Sequence, residues 1–517
     1  MPGPAQFQLP PISFTRMRRF MPQWTNDGDW SRGIVRDPPR ASIPQGGVWN
    51  AVDFLLDAPG IAYKRGGTTY AGPQMPSALT ARAVIFADFL SGSQLLAVGD
   101  NGHLYKITSG ATTDVATLGA AYVPTCKLVY HHGGQKDYVI IPSNNGSGVP
   151  YHYNGTTATA MIASVAKGTV MATYKSRLVL ANDGVNKVRL WFSPINIQGT
   201  PPPGADLDQP WDPLSYVDAD FPVVGLAPLQ NSLLVFSTQQ TERLTGTTPP
   251  PGTDFDHAPV GGIGCTDARS ISIWQNYAIF ANPRSIFMTN GVGFRDLLTE
   301  AGLVRYWQGI LAGYSRSTWI ISTGVLWDKF LFVGVMNGPT LVDCLVCNLV
   351  RNAWWRFSNI RAAMFAAAVG ARDDLYYADM GTNRVNSVAS CWFPAGVNKA
   401  DADGTAVQPV LETKVIASTP NVKTYGRCWI DYDLRDAATD NPTLAFQVAP
   451  GLEATTFSTV AESPLPETPD ELRKTVSCVK TSQGLTARIT QTGPSAKTEI
   501  YALEFETIGP GQEYGTQ

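Results

Sequence analysis

Residues 94–110 read QLLAVGDNGHLYKITSG, two apolar-rich runs flanking Asp100-Asn101-Gly102. Short alternating runs around an Asn-Gly turn are the pattern of a β-hairpin. Similar units recur as DYVIIPSNNGSG (137–148), KSRLVLANDG (175–184), NSLLVFSTQQTERLTG (231–246), NYAIFANPRSIFMTNG (276–291), DKFLFVGVMNG (328–338) and DDLYYADMGTNRV (373–385). Their starts lie 43, 38, 56, 45, 52 and 45 residues apart. Periods of about 40 to 50 residues belong to propeller blades, which complete their cores by stacking on neighbours. The fold class expected is therefore all-β: an irregular six- to seven-bladed β-propeller with an additional C-terminal β-sandwich or barrel domain. WD and kelch signatures are not evident. The unequal spacings leave six and seven blades both open.

Three regions follow outward from this rhythm. Residues 1–48 form an extended N-terminal arm, rich in Pro and carrying Arg16, Arg18, Arg19, Arg32, Arg36 and Arg40. It either wraps the first blade or docks on a neighbouring subunit. Residues 49–400 hold the propeller, with Pro-rich loops at 197–214 and 245–259 and a short helix or two within 294–311. Residues 401–517 form a C-terminal β-rich domain with about six further β-runs, among them YGRCWIDYDL and KTEIYALEFETI.

Bulk properties limit the function. Gly and Pro make up 86 of 517 residues, which suits an all-β chain with many turns. Charged residues are only 16%, against about 25% in an average globular protein. Such a surface fits wide permanent interfaces and also glycan binding. A formal net charge of −3 excludes a strongly basic nucleic-acid binder. Seven scattered cysteines suggest no disulfide framework, and the N-terminus lacks the apolar core of a secretory signal. No apolar run approaches the roughly 20 residues that cross a bilayer. The expectation is a chain soluble at synthesis, without a membrane-spanning segment.

Chemical motifs are sparse. The KRGG stretch at 64–67 matches neither a P-loop nor a dinucleotide loop, so no cofactor is expected. His131-His132 would point to opposite strand faces, and the lone CxxC of Cys344 and Cys347 reads as buried small side chains. The KADADGT run at 399–405 is too short for an EF-hand. Asp88, Asp100, Asp183, Asp328, Asp373 and Asp379 sit at turns, where solvated Asp is common. Trp354-Trp355 in LVRNAWWRFSN is more informative: core and blade packing is the leading role, and the alternative is that one ring enters the core while its neighbour faces outward as a hot spot for a subunit or a stacked sugar.

Within residues 49–72, Asn50, Phe54, Leu55, Gly60 and the run KRGGTTYAG resemble the opening of tail-nozzle and packaged-DNA stabilisation proteins of short-tailed bacteriophages. The corresponding family stretch reads close to RPGT; Gly66 replaces the proline here. The resemblance implies a non-enzymatic virion tail protein, assembled in the host cytoplasm. Its homo-oligomer would typically be a sixfold ring below the portal and adaptor proteins. It would extend the DNA ejection channel, carry tail fibre or needle proteins, and close or stabilise the packaged genome while double-stranded DNA passes transiently. Arg65, Trp354 and Trp355 are the interface candidates, Arg65 through an ion pair or backbone contact. The rival is a carbohydrate-binding or glycoside-cleaving propeller, with Trp191, Trp354 or Trp355 stacking sugars. Aromatic and acidic groups converging in one pocket would favour that rival.

Overall fold

The computed structural model describes residues 23–27, 29–58, 60–76, 79–133, 136–161, 166–195, 211–248, 254–368, 373–392, 400–416, 422–435, 443–452, 456–464, 473–492 and 497–508. Residues 1–22 and 28 of the arm, residues 196–210 and 249–253 at the Pro-rich loops and all of 393–399 lie outside them.

Each hairpin quoted above falls in its own four-stranded antiparallel unit. Blade 1 runs Ala81–Phe89, Gly92–Gly99, His103–Ile107 and Thr112–Thr117. Blades 2 to 5 follow in order, with first strands at Val129–Gly133, Val170–Tyr174, Gly225–Pro228 and Ile271–Trp274. Blade 6 runs Trp319–Leu326, Phe330–Asn337, Thr340–Asn348 and Ala353–Arg356. Blade 7 takes Ala362–Ala368, Asp374–Asp379 and Arg384–Ser387 from one part of the chain and its fourth strand, Thr69–Tyr70, from another. The described residues thus form seven blades. Ala362–Ala368 packs on Ala81–Phe89 and closes the ring, with Phe86 stacked on Tyr376 at 6.2 Å.

Local chemistry sets the hairpins. Lys175-Ser176, the two-residue turn between paired Tyr174 and Arg177, has positive φ at both residues, as a turn matching strand twist requires. The helical segment splits into α1 (Leu297–Ala301) and α2 (Val304–Ala312), linking blades 5 and 6. Asp296 caps α1 by accepting from Leu298 N and Thr299 N. Among the described residues no helix is long and apolar enough to cross a membrane.

Blade 6 does not end at its fourth strand. Ala353–Arg356 pairs in parallel with Gly33–Ile34 and Asn50–Val52. From Asn50–Val52 the sheet continues through Val410–Glu412, Leu485–Thr492, Thr443–Pro450 and Ser458–Pro464. A second sheet runs Arg473–Ser482, Lys423–Arg435, Lys497–Ile508, Ala62–Lys64 and Phe54–Leu55, with Gln23–Asp27 on Lys497–Ile508. Phe446 of one sheet meets Phe505 of the other at 6.4 Å, and both sheets share the largest apolar core with blade 6. The β-rich C-terminal unit is therefore two layers built from both chain ends. The divisions drawn at 48 and 400 differ from the sheets: residues 50–64 pair with C-terminal strands, and the propeller takes its first strand at Thr69. Residues 33–48 lie against blade 6, not blade 1. A local apolar pattern announces a strand without naming its distant partner.

Candidate functional site

The seam between propeller and C-terminal sheets gathers all three interface candidates. Arg65 follows the Ala62–Lys64 strand and is 1% exposed. Its Nε donates to Asp53 Oδ1 at 2.7 Å, and its two terminal nitrogens donate to Asp401 Oδ1 and Oδ2 at 2.7 and 2.8 Å. The remaining N–H groups reach the carbonyls of Gly66 (3.0 Å) and Ser358 (2.9 Å). All five guanidinium donors are thereby used, and Phe357 lies 5.0 Å away. Burial alone would lower the pKa of this group. Asp401 and Asp53 outweigh that and hold it well above its ordinary value.

Close backbone contacts explain the two glycines, and a Cβ on Gly66 would lie 2.6 Å from the Ser390 carbonyl oxygen. A Cβ on Gly67 would lie 1.7 Å from the Ala400 carbonyl oxygen, so only glycine lets the two segments approach so closely. Thr68 then donates its N–H and hydroxyl to Asp401 Oδ1. Asp401 Oδ2 accepts from Asn359, which also reaches Asp403; Arg361 bridges Asp403 and Asp379. The clasp joins segments around residues 53, 65, 358 and 401 with blade 7.

Trp354 and Trp355 are both 0% exposed. The core role holds for both, and no ring faces outward, because both lie within the apolar core shared by blade 6 and the C-terminal sheets. Gly33, with φ +69, has no room for a Cβ: it would lie 2.4 Å from the Trp354 carbonyl oxygen. Trp354 Nε1 donates to Asn352 Oδ1 at 2.8 Å, while Trp355 packs against Phe330 at 6.1 Å. Arg65, Trp354 and Trp355 are corrected from surface contacts to seals within the chain. The Arg65 ion pair exists, but inside one molecule. Nearby Arg36 lies 4.4 Å from the Tyr306 ring, Tyr306 donates to Asp343, and Arg356 pairs with Asp343 at 3.0 Å.

Sequence patterning overlooked the propeller's central channel. This cavity of about 600 Å³ is lined from all seven innermost strands or the residues flanking them, mostly by apolar groups such as Val84, Phe86, Ile271 and Phe365. Lys127 enters it and donates to Ser272 Oγ at 2.8 Å; Ser272 is in turn 2.8 Å from Thr323 Oγ1. Asp328 and Thr173 also line the channel, and His131 Nδ1 stands 3.4 Å from Thr173 Oγ1. No salt bridge to Lys127 occurs among the described residues. Burial pushes its amine down to about 7. The only sequence cue was one lysine inside TCKLVY, before a strand the hairpin pattern had not marked.

The other chemical candidates are dispersed. Asp88 and Asp100 belong to blade 1, Asp183 to blade 3, Asp328 to blade 6, and Asp373 and Asp379 to blade 7. Cys344 and Cys347 are buried in the main core, and burial raises both thiols well above the ordinary value. His131 is buried; the side chain of His132 lies outside the described set. No cluster of three or more His, Cys, Asp or Glu suited to a metal occurs among the described residues.

No family model matches the sequence, and no curated protein matches it. Solved structures match the chain only at low identity and low TM-score. The chain is similar to BBS1N, solved in complex with ARL6DN, at 9% identity, covering 62% of this chain and 96% of that one, with a TM-score of 0.39. The Pan2 WD40 domain of Neurospora crassa matches at 9% identity, covering 65% and 97%, with a TM-score of 0.38. The computationally designed Ika8 protein matches at 9% identity, covering 62% and 99%, with a TM-score of 0.34. The propeller assignment stands on the seven closed sheets themselves.

Proposed function

We propose that this chain is a structural, non-enzymatic subunit of a short phage tail. Copies would form a nozzle ring, typically sixfold, below the portal and adaptor. The ring would extend the DNA ejection channel, help retain the packaged genome and seat fibres or a needle. The supporting observation is the Arg65 clasp. The stretch whose residues resemble tail-nozzle proteins is the one that locks the propeller to the C-terminal sheets. Such a lock, beside a sheet continuous from blade 6 into the C-terminal layers, suits a rigid wedge whose work is mechanical. Sparse surface charge fits wide subunit contacts, and a slightly acidic chain fits a lumen that lets DNA slide.

Negative-stain images of the purified chain, alone and with a short-tailed phage portal complex, test the reading. Sixfold rings seated on the portal are expected. Monomers that ignore the portal would sink it.

A further inference from the structure

A cavity of about 480 Å³ lies between blades 2 and 3, away from both seam and central channel. The turn at Gly146-Ser147 forms one wall and the turn at Asp183–Asn186 another. Lys167, Trp191, Trp211 and Asp212 complete its chemistry. The volume falls within the range of small-ligand sites, about 300 to 1,000 Å³.

Two features distinguish it from a surface dimple. Trp191 is half-buried and held in place: its Nε1 donates to Asp183 Oδ2 at 3.2 Å, and its ring meets Tyr216 at 5.3 Å. Arg189, paired with Asp218 at 2.8 and 3.1 Å, lies 3.7 Å from the Tyr216 ring and backs the same stack. The second feature is Trp211. It is 4% exposed, yet its indole N–H has no acceptor among the described residues. Burying an unpaired donor is unfavourable, and a ligand oxygen would relieve it.

We propose that this cavity is a saccharide subsite that takes a hexopyranose ring. A pyranose has an apolar C–H face to lay on an indole, and hydroxyls that both accept and donate. The orphaned Trp211 N–H requires an acceptor, while Asp183, Asp212 and Asn186 also line the cavity and offer polar atoms. A simple anion would face two carboxylates. A purely apolar ligand would leave the Trp211 N–H unpaired. One lysine against two carboxylates leaves the lining net negative, which favours a neutral sugar over one bearing an acidic substituent. The site does not depend on ring assembly, so its test and the portal test can fail separately.

The experiment is saturation-transfer NMR on the full chain with maltotriose, chitotriose, cellotriose and trigalacturonic acid as probes, each at millimolar concentration. At least one neutral probe is expected to bind saturably, with trigalacturonic acid the weakest of the four. Trp191→Ala, at a half-exposed position, should weaken that binding roughly tenfold while melting remains cooperative. Trp211→Phe keeps a ring but removes the N–H, and should also weaken binding. No saturable binding by any probe, or binding indifferent to Trp191→Ala, overturns the proposal.

Discussion

At the seam, the Arg65 guanidinium donates to two carboxylates and two carbonyls; in the channel, the Lys127 ammonium donates to one serine hydroxyl. Both cations have left bulk water, and their pKa values move in opposite directions. Arg65 rises because Asp401 and Asp53 outweigh burial, whereas Lys127 falls because only burial acts on it. The difference teaches where the chain needs a fixed geometry. A planar fork matched to two carboxylates pins four segments in one arrangement. A lone ammonium pins little, and keeps a proton that neutral pH can remove.

The strongest way to break this contrast is Arg65→Met. It leaves Asp53 and Asp401 buried without their cation, and should cost about 3–5 kcal/mol in urea unfolding. A loss below about 1 kcal/mol would mean that the carboxylates find other partners and that the clasp is not special. Gly67→Ala comes next. Its Cβ would meet backbone, not a yielding side-chain tip, and a loss of about 1–3 kcal/mol is expected in the same measurement.

Lys127→Met should act with the opposite sign. With a folded-state value near 7 against an ordinary 10.5, the unfolded chain holds a proton that the folded chain lacks between those pH values. Wild-type stability therefore rises with pH across that window through this group. The variant removes the penalty of a buried charge. It should gain about 1–3 kcal/mol at pH 6, and the gain should fade as pH approaches 10.5. Thermal melts of both proteins from pH 6 to 10 check this; a pH-independent difference would refute the channel assignment. Smallest is Ser272→Ala, which removes the hydroxyl accepting from Lys127 and bonded to Thr323. A loss of about 0.5–1.5 kcal/mol is expected, together with a further drop in the pH midpoint for acetylation of Lys127.

Legibility in the sequence tracks distance along the chain. Asp100-Asn101-Gly102 and Asn337-Gly338 marked turns because a hairpin is closed by adjacent residues. The 43-residue step from Gln94 to Asp137 marked a blade repeat for the same reason. Arg65 drew notice through its motif, but its partner Asp401 lies 336 positions away, inside a run that resembled an incomplete calcium loop. Trp354 and Trp355 were read by strand alternation, which assumes one free face. The core shared with the C-terminal sheets takes in both rings, so neither face is free. Trp211 stood in a Pro-rich stretch with nothing to single it out.

The amino-acid order by itself determined the seven hairpins, their turns and the all-β class, because alternation and turn conformation are settled among near neighbours. Tertiary structure alone decided that Thr69–Tyr70 completes blade 7, that residues 50–64 join the C-terminal sheets, and that one buried arginine is fully paired while a channel lysine is not. Those outcomes depend on which distant strands meet. Strand pairing uses backbone groups common to nearly every residue, so the local sequence carries little trace of the partner it will find.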